Sequence, residues 1–417
     1  MERAAAPIGR ARGIPLRVAS DPRFGVLHLL PTLSMGGAEL HVARLVAGWQ
    51  AGPTRPLVVA MHRGGPVEAQ LRAAGVPVEV LGIQRAPIRR PLAALRDARC
   101  LQAATLAAAR RHGVALIQTH LSDADWLGLR VGRALRVPVV VTCHDPHLLP
   151  QERGAGDLRA RLRRFLQARL WRRADAFIAV GAEVVREIAK VPGVDPARIH
   201  LVRSGFVSRP LPAAAQRAEW RARHAALVGE PGGELLLGVG RLVENKGFHH
   251  VIEAFASIAS ERPRARLLIA GDGPERTALA AQIERLGLAG RVVLLGMRED
   301  VGELLALADL FVTGTRYEGL GLAAAEALDQ EVPVVGFRVS GIEEVVDHER
   351  TGLLVAHGDV AAFAAALRAL LGDPERRRAF GRAGRPAAQR FEIARARAAT
   401  LQLYEALLRP ASRPSAR

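Results

Sequence analysis

Short apolar runs that alternate with helix-period segments constrain this chain more than any other feature. FGVLHLLPT (24–32), RPLVVAMH (55–62), VPVEVLG (76–82), VALIQTH (114–120), VPVVVTCHD (137–145), AFIAVG (176–181) and IHLVRSG (199–205) are brief and mainly apolar. That pattern predicts strands buried on both faces. Helix-period segments such as 38–50 and 157–173 fall between them and would supply the crossovers of a parallel sheet.

The alternation stops at SRPLPAAAQ (208–216), a linker candidate rich in proline and alanine, and at VGEPGGE (228–234). It restarts with LLLGVGRL, ARLLIAGDGP, RVVLLGM, LFVTGT, VPVVGFR and GLLVAH. With 417 residues, the chain accommodates two doubly wound α/β domains joined near residue 210. Ligands of such sheets lie beyond the carboxyl ends of the strands, so residues that follow each strand are where chemistry is expected.

Charge is uneven. Residues 1–210 hold 32 Lys and Arg against 15 Asp and Glu, and residues 211–417 hold 27 against 26. An excess of +17 in one half and +1 in the other exceeds what a uniform arginine-rich drift would give. The first half is therefore expected to face something anionic: a membrane surface, a phosphorylated lipid or nucleic acid. Nucleic acid is disfavoured, because no recognised module is present and aromatics make up 4% of the chain. Cys100 and Cys143 form no metal or disulfide pattern, which predicts a reducing compartment and a cytoplasmic protein, at most peripheral at the inner membrane face. Residues 1–20 read as a basic flexible tail and not as a signal peptide, and no apolar stretch is long enough for a membrane span.

The second half concentrates polar groups after its strands. LLLGVG delivers Arg241 and then Lys246, one of only two lysines among 59 basic residues. AGDGP (270–274) offers Gly271 and Gly273 for close backbone approach, with Pro274 placed to begin a helix. RYEGLGLAAAEAL (316–328) sets Gly319 and Gly321 before a helix starting near Leu322, with Glu318 ahead and Glu326 two turns on. Helix N-termini of this kind bind phosphate. Singly these signals are weak; in this order they describe a diphosphate site with carboxylates for sugar hydroxyls.

GRLVENKG, AGDGP, YEGLGLAAAEAL and GLLVAHGD, together with PTLSMGGAE (31–39) and TCHDP (142–146), resemble the motifs of retaining GT-B glycosyltransferases of family four (glycosyl transferases group 1). The resemblance implies two Rossmann-like domains facing a central cleft: an acceptor-side domain over 21–208, a nucleotide-sugar domain over 209–388, and a crossover helix over 389–410 that packs back on the first. It implies that Arg241 and Lys246 clamp the donor diphosphate and that Glu326 binds ribose. Glu318 and the amides of Gly319, Leu320 and Gly321 would hold the sugar and phosphates, with Gly271, Gly273 and Met297 also on the donor side. Gly36 and Gly37 would let the first domain approach the diphosphate. His144 would sit at the reaction centre, and His120 beside it on the acceptor side. No cofactor or metal is implied.

The implied activity is metal-independent, retaining transfer of a hexose-type sugar from a UDP- or GDP-linked donor to a glycan or lipid-linked acceptor, in cell-surface polysaccharide or glycolipid assembly. A non-catalytic nucleotide-sugar-binding subunit and a GT-B-type epimerase stand as alternatives. Thr313-Gly314-Thr315 replaces the usual Pro-Ser, Leu320 stands where Phe is common, and Glu343 where Pro is usual; these departures leave the donor sugar open. Asp123 and Asp125 form an Asp-x-Asp that could only weakly argue for a metal. The basic segment 157–177 carries Leu158, Leu162, Phe165, Leu166, Leu170 and Trp171 at helical spacing. This stripe is expected to meet the sheet, with a lipid-facing helix as the alternative. His249 and His250 read as structural.

Overall fold

The computed structural model describes residues 23–49, 52–84, 90–146, 158–230 and 232–409, with no side-chain detail for 158–161. The tail expected over residues 1–20 lies outside the described residues, as do Gln50 and Asp157 of the two helix candidates. Two compact units emerge: Met1–Gly205 with Ile393–Arg417, and Phe206–Glu392. Among the described residues, no helix is long and apolar enough to cross a membrane.

The first unit is built on seven strands: β1 (Phe24–Thr32), β2 (Thr54–Arg63), β3 (Val78–Val80), β4 (Val114–His120), β5 (Val139–Cys143), β6 (Ala176–Ala179) and β7 (Ile199–Leu201). All pairings are parallel, in the order β3-β2-β1-β4-β5-β6-β7. The order reverses direction between β1 and β4, which makes their carboxyl ends a crevice for ligands. Alternate residues of β1 feed two cores: Val26 and Leu30 enter one, Leu27 and Leu29 the other.

The helix Ile393–Leu408 completes the first of these cores with Ile393, Ala396, Leu403 and Tyr404. Its buried Tyr404 hydroxyl donates to Gln118 Oε1, and Gln118 Nε2 donates to Thr142 Oγ1 at 2.5 Å. This chain of partners satisfies polar groups that burial would otherwise penalise. Arg397 adds bonds to the carbonyls of Arg44 and Leu45 in the helix Gly37–Ala47.

The second unit contains β8 (Leu235–Val239), β9 (Arg266–Ala270), β10 (Val292–Gly296), β11 (Leu310–Thr313), β12 (Val334–Phe337) and β13 (Gly352–Val355). They pair in parallel as β10-β9-β8-β11-β12-β13, with the reversal between β8 and β11. The linker candidate begins tied down: Ser208 Oγ and the Arg209 amide donate to the two carboxylate oxygens of buried Asp329, at 2.7 and 3.0 Å.

Two expectations need correction, and the Asp-x-Asp motif can be placed. The helix after AGDGP starts at Arg276, because Pro274 and Glu275 form a turn ahead of it. Asp123 and Asp125 form no chelating pair: Asp123 is exposed, while buried Asp125 accepts from Thr119, Trp171 and Gln167. Finally, the stripe on the helix Leu158–Trp171 is split. Ala168 and Trp171 are buried, whereas Leu162, Phe165 and Leu166 are 55%, 59% and 54% exposed.

Candidate functional site

In the second unit the switch point between β8 and β11 brings Lys246 and Glu318 together. After β8, a single turn of 3-10 helix (Glu244–Lys246) ends on Gly247, whose φ of 58° is left-handed. After β11 comes the loop that carries Glu318. Lys246 Nζ donates to Glu318 Oε2 at 2.5 Å, with both side chains roughly a fifth exposed.

The two loops are braced by backbone and side-chain hydrogen bonds. Arg316 N donates to Asn245 O at 2.8 Å, and Asn245 Nδ2 to Tyr317 O at 3.2 Å. Thr315 Oγ1 lies 2.9 Å from Tyr317 O and 3.3 Å from Asn245 O. A Cβ on Gly247 would stand 1.9 Å from Gly314 O, and one on Gly314 would stand 2.3 Å from Gly247 O. The unusual Thr313-Gly314-Thr315 thus has a physical reason: Gly314 permits the contact, and the Thr315 hydroxyl bridges it.

Arg241 is exposed and makes no ion pair among the described residues. The helix Leu322–Asp329 follows Gly321 and carries the half-exposed Glu326. The amides of Gly319 and Leu320 make no hydrogen bond among the described residues, whereas Gly321 N donates to Gly341 O at 3.2 Å. Leu320's side chain is buried in the core. Met297, just past β10, is 49% exposed. Glu343 pairs with Arg338 at 3.3 Å.

Gly271 and Gly273 meet a steric demand inside the unit. A Cβ at Gly271 would meet Gly240 O at 1.9 Å, and one at Gly273 would meet Leu242 O at 2.4 Å. Their amides are engaged internally, with Gly296 O and Asp272 Oδ1, both at 2.8 Å. They let the 270–275 loop pack closely against the backbone of Gly240 and Leu242.

In the first unit, Gly36 precedes the helix Gly37–Ala47, with the Glu39 carboxylate folded against it. A Cβ on Gly37 would meet nothing within 4 Å, so open space lies where the glycine loop turns. His120 ends β4, and the next residue, Leu121, takes φ 69° and ψ 143°. Side chains rarely adopt that backbone, and such strain is concentrated at functional positions.

Four imidazoles converge here. His28 Nδ1 lies 3.2 Å from His120 Nε2, and His120 Nδ1 lies 3.1 Å from His144 Nε2. The His41 ring sits edge-on to His144 with centroids 5.8 Å apart, and its Nδ1 accepts from the Gly205 amide at 3.4 Å. Burial pushes His28 down to about 3, with His41 adding to it, and likewise His144 to about 3. Burial and Arg44 lower His41 to about 4, and burial holds His120 well below the ordinary range. All four are neutral at pH 7.

The sequence reading named His120 and His144 but missed His28 and His41. Strand parity could have found the first. His28 pairs in register with Gln118 and His120 with Thr142, so all three histidines step along one sheet face. A single histidine inside the apolar run FGVLHLLPT was the visible signal.

Among the described residues, the cluster with metal-like donor spacing is His224, Asp300 and Glu303. Its carboxylates already pair with Arg298 and Arg223, which leaves little negative charge for a cation.

Comparison with known proteins covers both units. Residues 35–207 match the profile of Glycosyltransferase Family 4, and residues 221–386 match Glycosyl transferases group 1. The chain is 32% identical over 304 residues to a glycogen synthase of Mycobacterium tuberculosis, covering 70% of each. It is 37% identical over 152 residues to N-acetyl-alpha-D-glucosaminyl L-malate synthase of Bacillus anthracis, covering 36% of this chain and 40% of that one. The structure of Anabaena Alr3699/HepE in complex with UDP-glucose superposes with a TM-score of 0.78 at 23% identity, covering 92% of this chain and all of that one.

Proposed function

The chain belongs to the glycosyl transferases of group 1, with GT-B architecture, and on that premise we propose that it transfers a hexose-type sugar from a UDP-linked donor, with retention, to a glycan or lipid-linked acceptor. One observation carries the donor reading: the braced Lys246–Glu318 pair beside the free amides of Gly319 and Leu320. Lys246 would sit on the diphosphate as a point charge, and the exposed Arg241 fork would take further oxygens. Glu318 Oε2 orients the lysine, which leaves Oε1 for a sugar hydroxyl. Glu326 would bind the ribose hydroxyls.

In the proposed step, the bond between the anomeric carbon and the diphosphate oxygen breaks. The acceptor hydroxyl oxygen bonds that carbon from the same face, and its proton passes to the leaving phosphate. Negative charge would grow on the diphosphate, where these cations and amides would already be held, so little reorganisation would be needed. His144, the half-buried end of the histidine row, would donate to a hydroxyl of the sugar ring.

The acceptor reading rests on the first half's net +17 and on the exposed Leu162, Phe165 and Leu166 beside Arg163 and Arg164. Apolar side chains among arginines suit the surface of an anionic membrane, here proposed to be its inner face. The reaction is tested by incubating the purified chain with UDP-hexoses and following anomeric protons by NMR. Slow hydrolysis should release sugar in the donor's own configuration. Release of the inverted anomer would overturn retention, and no turnover across the panel would overturn the donor class.

A further inference from the structure

We propose that His28, buried in β1, is a positioning residue: through His120 it fixes His144 in the tautomer that presents an Nδ1–H outward. This rests on reading His144 as the sugar-facing histidine. A neutral imidazole has one donor and one acceptor nitrogen. Two successive ring-to-ring bonds, 3.2 and 3.1 Å long, therefore force all three histidines to donate in the same direction.

Two directions are available. In the first, His28 Nδ1–H donates to His120 Nε2, His120 Nδ1–H donates to His144 Nε2, and His144 Nδ1–H is left at the outer end. In the second, every bond reverses, and the spare N–H is His28 Nε2. That atom is fully buried and has no partner among the described residues. A buried N–H without an acceptor is rarer and costlier than a bare lone pair. At the other end, His144 is half-buried, so an N–H there can meet water or a hydroxyl. The first direction places the unmet need where it can be met. His41 does not interfere, because the Gly205 amide already requires its Nδ1 to accept. The depressed proton affinities of the three rings keep the row free of an extra proton that would erase its direction.

The test is a two-bond proton–nitrogen spectrum of the 15N-histidine-labelled chain at neutral pH, assigned by single substitutions. Nδ1–H forms of His28, His120 and His144 are expected, with His41 in the Nε2–H form. An Nε2–H form of His28, or opposite tautomers at His120 and His144, overturns the proposal. His28→Phe keeps a ring against Trp49 and His120 but removes the donor. It should mix the tautomers of His120 and His144 and lower kcat for donor turnover roughly tenfold at unchanged KM. His28→Asn supplies an amide N–H near the Nδ1 position and should recover turnover to within about twofold of wild type. Wild-type turnover in His28→Phe, or equal losses in both variants, overturns the proposal. If the wild type turns over no donor, the functional reading fails while the tautomer spectrum still decides this one.

Discussion

Lys246 and Glu318 meet at 2.5 Å across the point where the second sheet changes direction, one after β8 and the other after the neighbouring β11. The chain writes nearly all its positive charge as arginine, yet this position is an ammonium. Only about a fifth of either side chain is exposed, and a guanidinium is wider and planar. Lys246→Arg should therefore lower kcat/KM for the donor by roughly tenfold or more, despite equal charge. Steady-state kinetics with the preferred donor checks this, and wild-type behaviour would mean that charge alone suffices.

Gly314→Ala should loosen the same pair without touching it. The new Cβ would stand 2.3 Å from Gly247 O and 3.0 Å from Val251 Cγ2, so the lysine turn and the glutamate loop must separate. Overpacking of this kind costs about 1–3 kcal/mol. Thermal melting should fall by several degrees, and UDP should stabilise the variant less than it does the wild type. Both are read by calorimetry with and without UDP.

Acid should destabilise the first unit. His28, His41, His120 and His144 have folded values below the unfolded 6.5, at about 3, 4, well below, and about 3. Their contribution is present above pH 6.5 and is lost as pH falls toward about 4 and 3. Asp125 acts oppositely: burial raises it from 3.8 to about 7, so its contribution is full below 3.8 and is lost as pH rises through about 7. Four groups outweigh one, and each unmatched proton is worth about 1.4 kcal/mol per pH unit. Urea unfolding should show stability rising from pH 4.5 to 6.5, with a shallower slope in His28→Phe and a steeper one in Asp125→Asn.

Vesicle sedimentation tests the acceptor side. Binding to anionic vesicles should exceed binding to neutral ones at low salt and weaken as salt is added. Phe165→Glu removes an exposed ring and adds a repelled charge, and should cut binding roughly tenfold or more. Equal sedimentation with both lipid types would leave Leu162, Phe165 and Leu166 without this role.

The strands were legible because doubly covered sheets need short apolar runs, and FGVLHLLPT and VALIQTH match β1 and β4 end to end. Lys246 and Glu318 were legible for a related reason: residues after strands at a switch point must face one crevice. What spacing could not reveal were contacts between distant backbones. The sequence alone does not say that Gly271 and Gly273 face Gly240 and Leu242, or that Gly314 faces Gly247. His28 and His41 were hidden because their partners lie up to 164 residues away. The helix Leu158–Trp171 shows another limit: helical period places residues on a face, but not what that face meets.

Calorimetric titration of UDP-hexose into the wild type and into Lys246→Ala bears most directly on the account. The donor should bind the wild type, and the variant should bind at least about tenfold more weakly, because a cation and its orienting partnership with Glu318 are lost together. Equal affinity in the two proteins would contradict a diphosphate site at the Lys246–Glu318 pair.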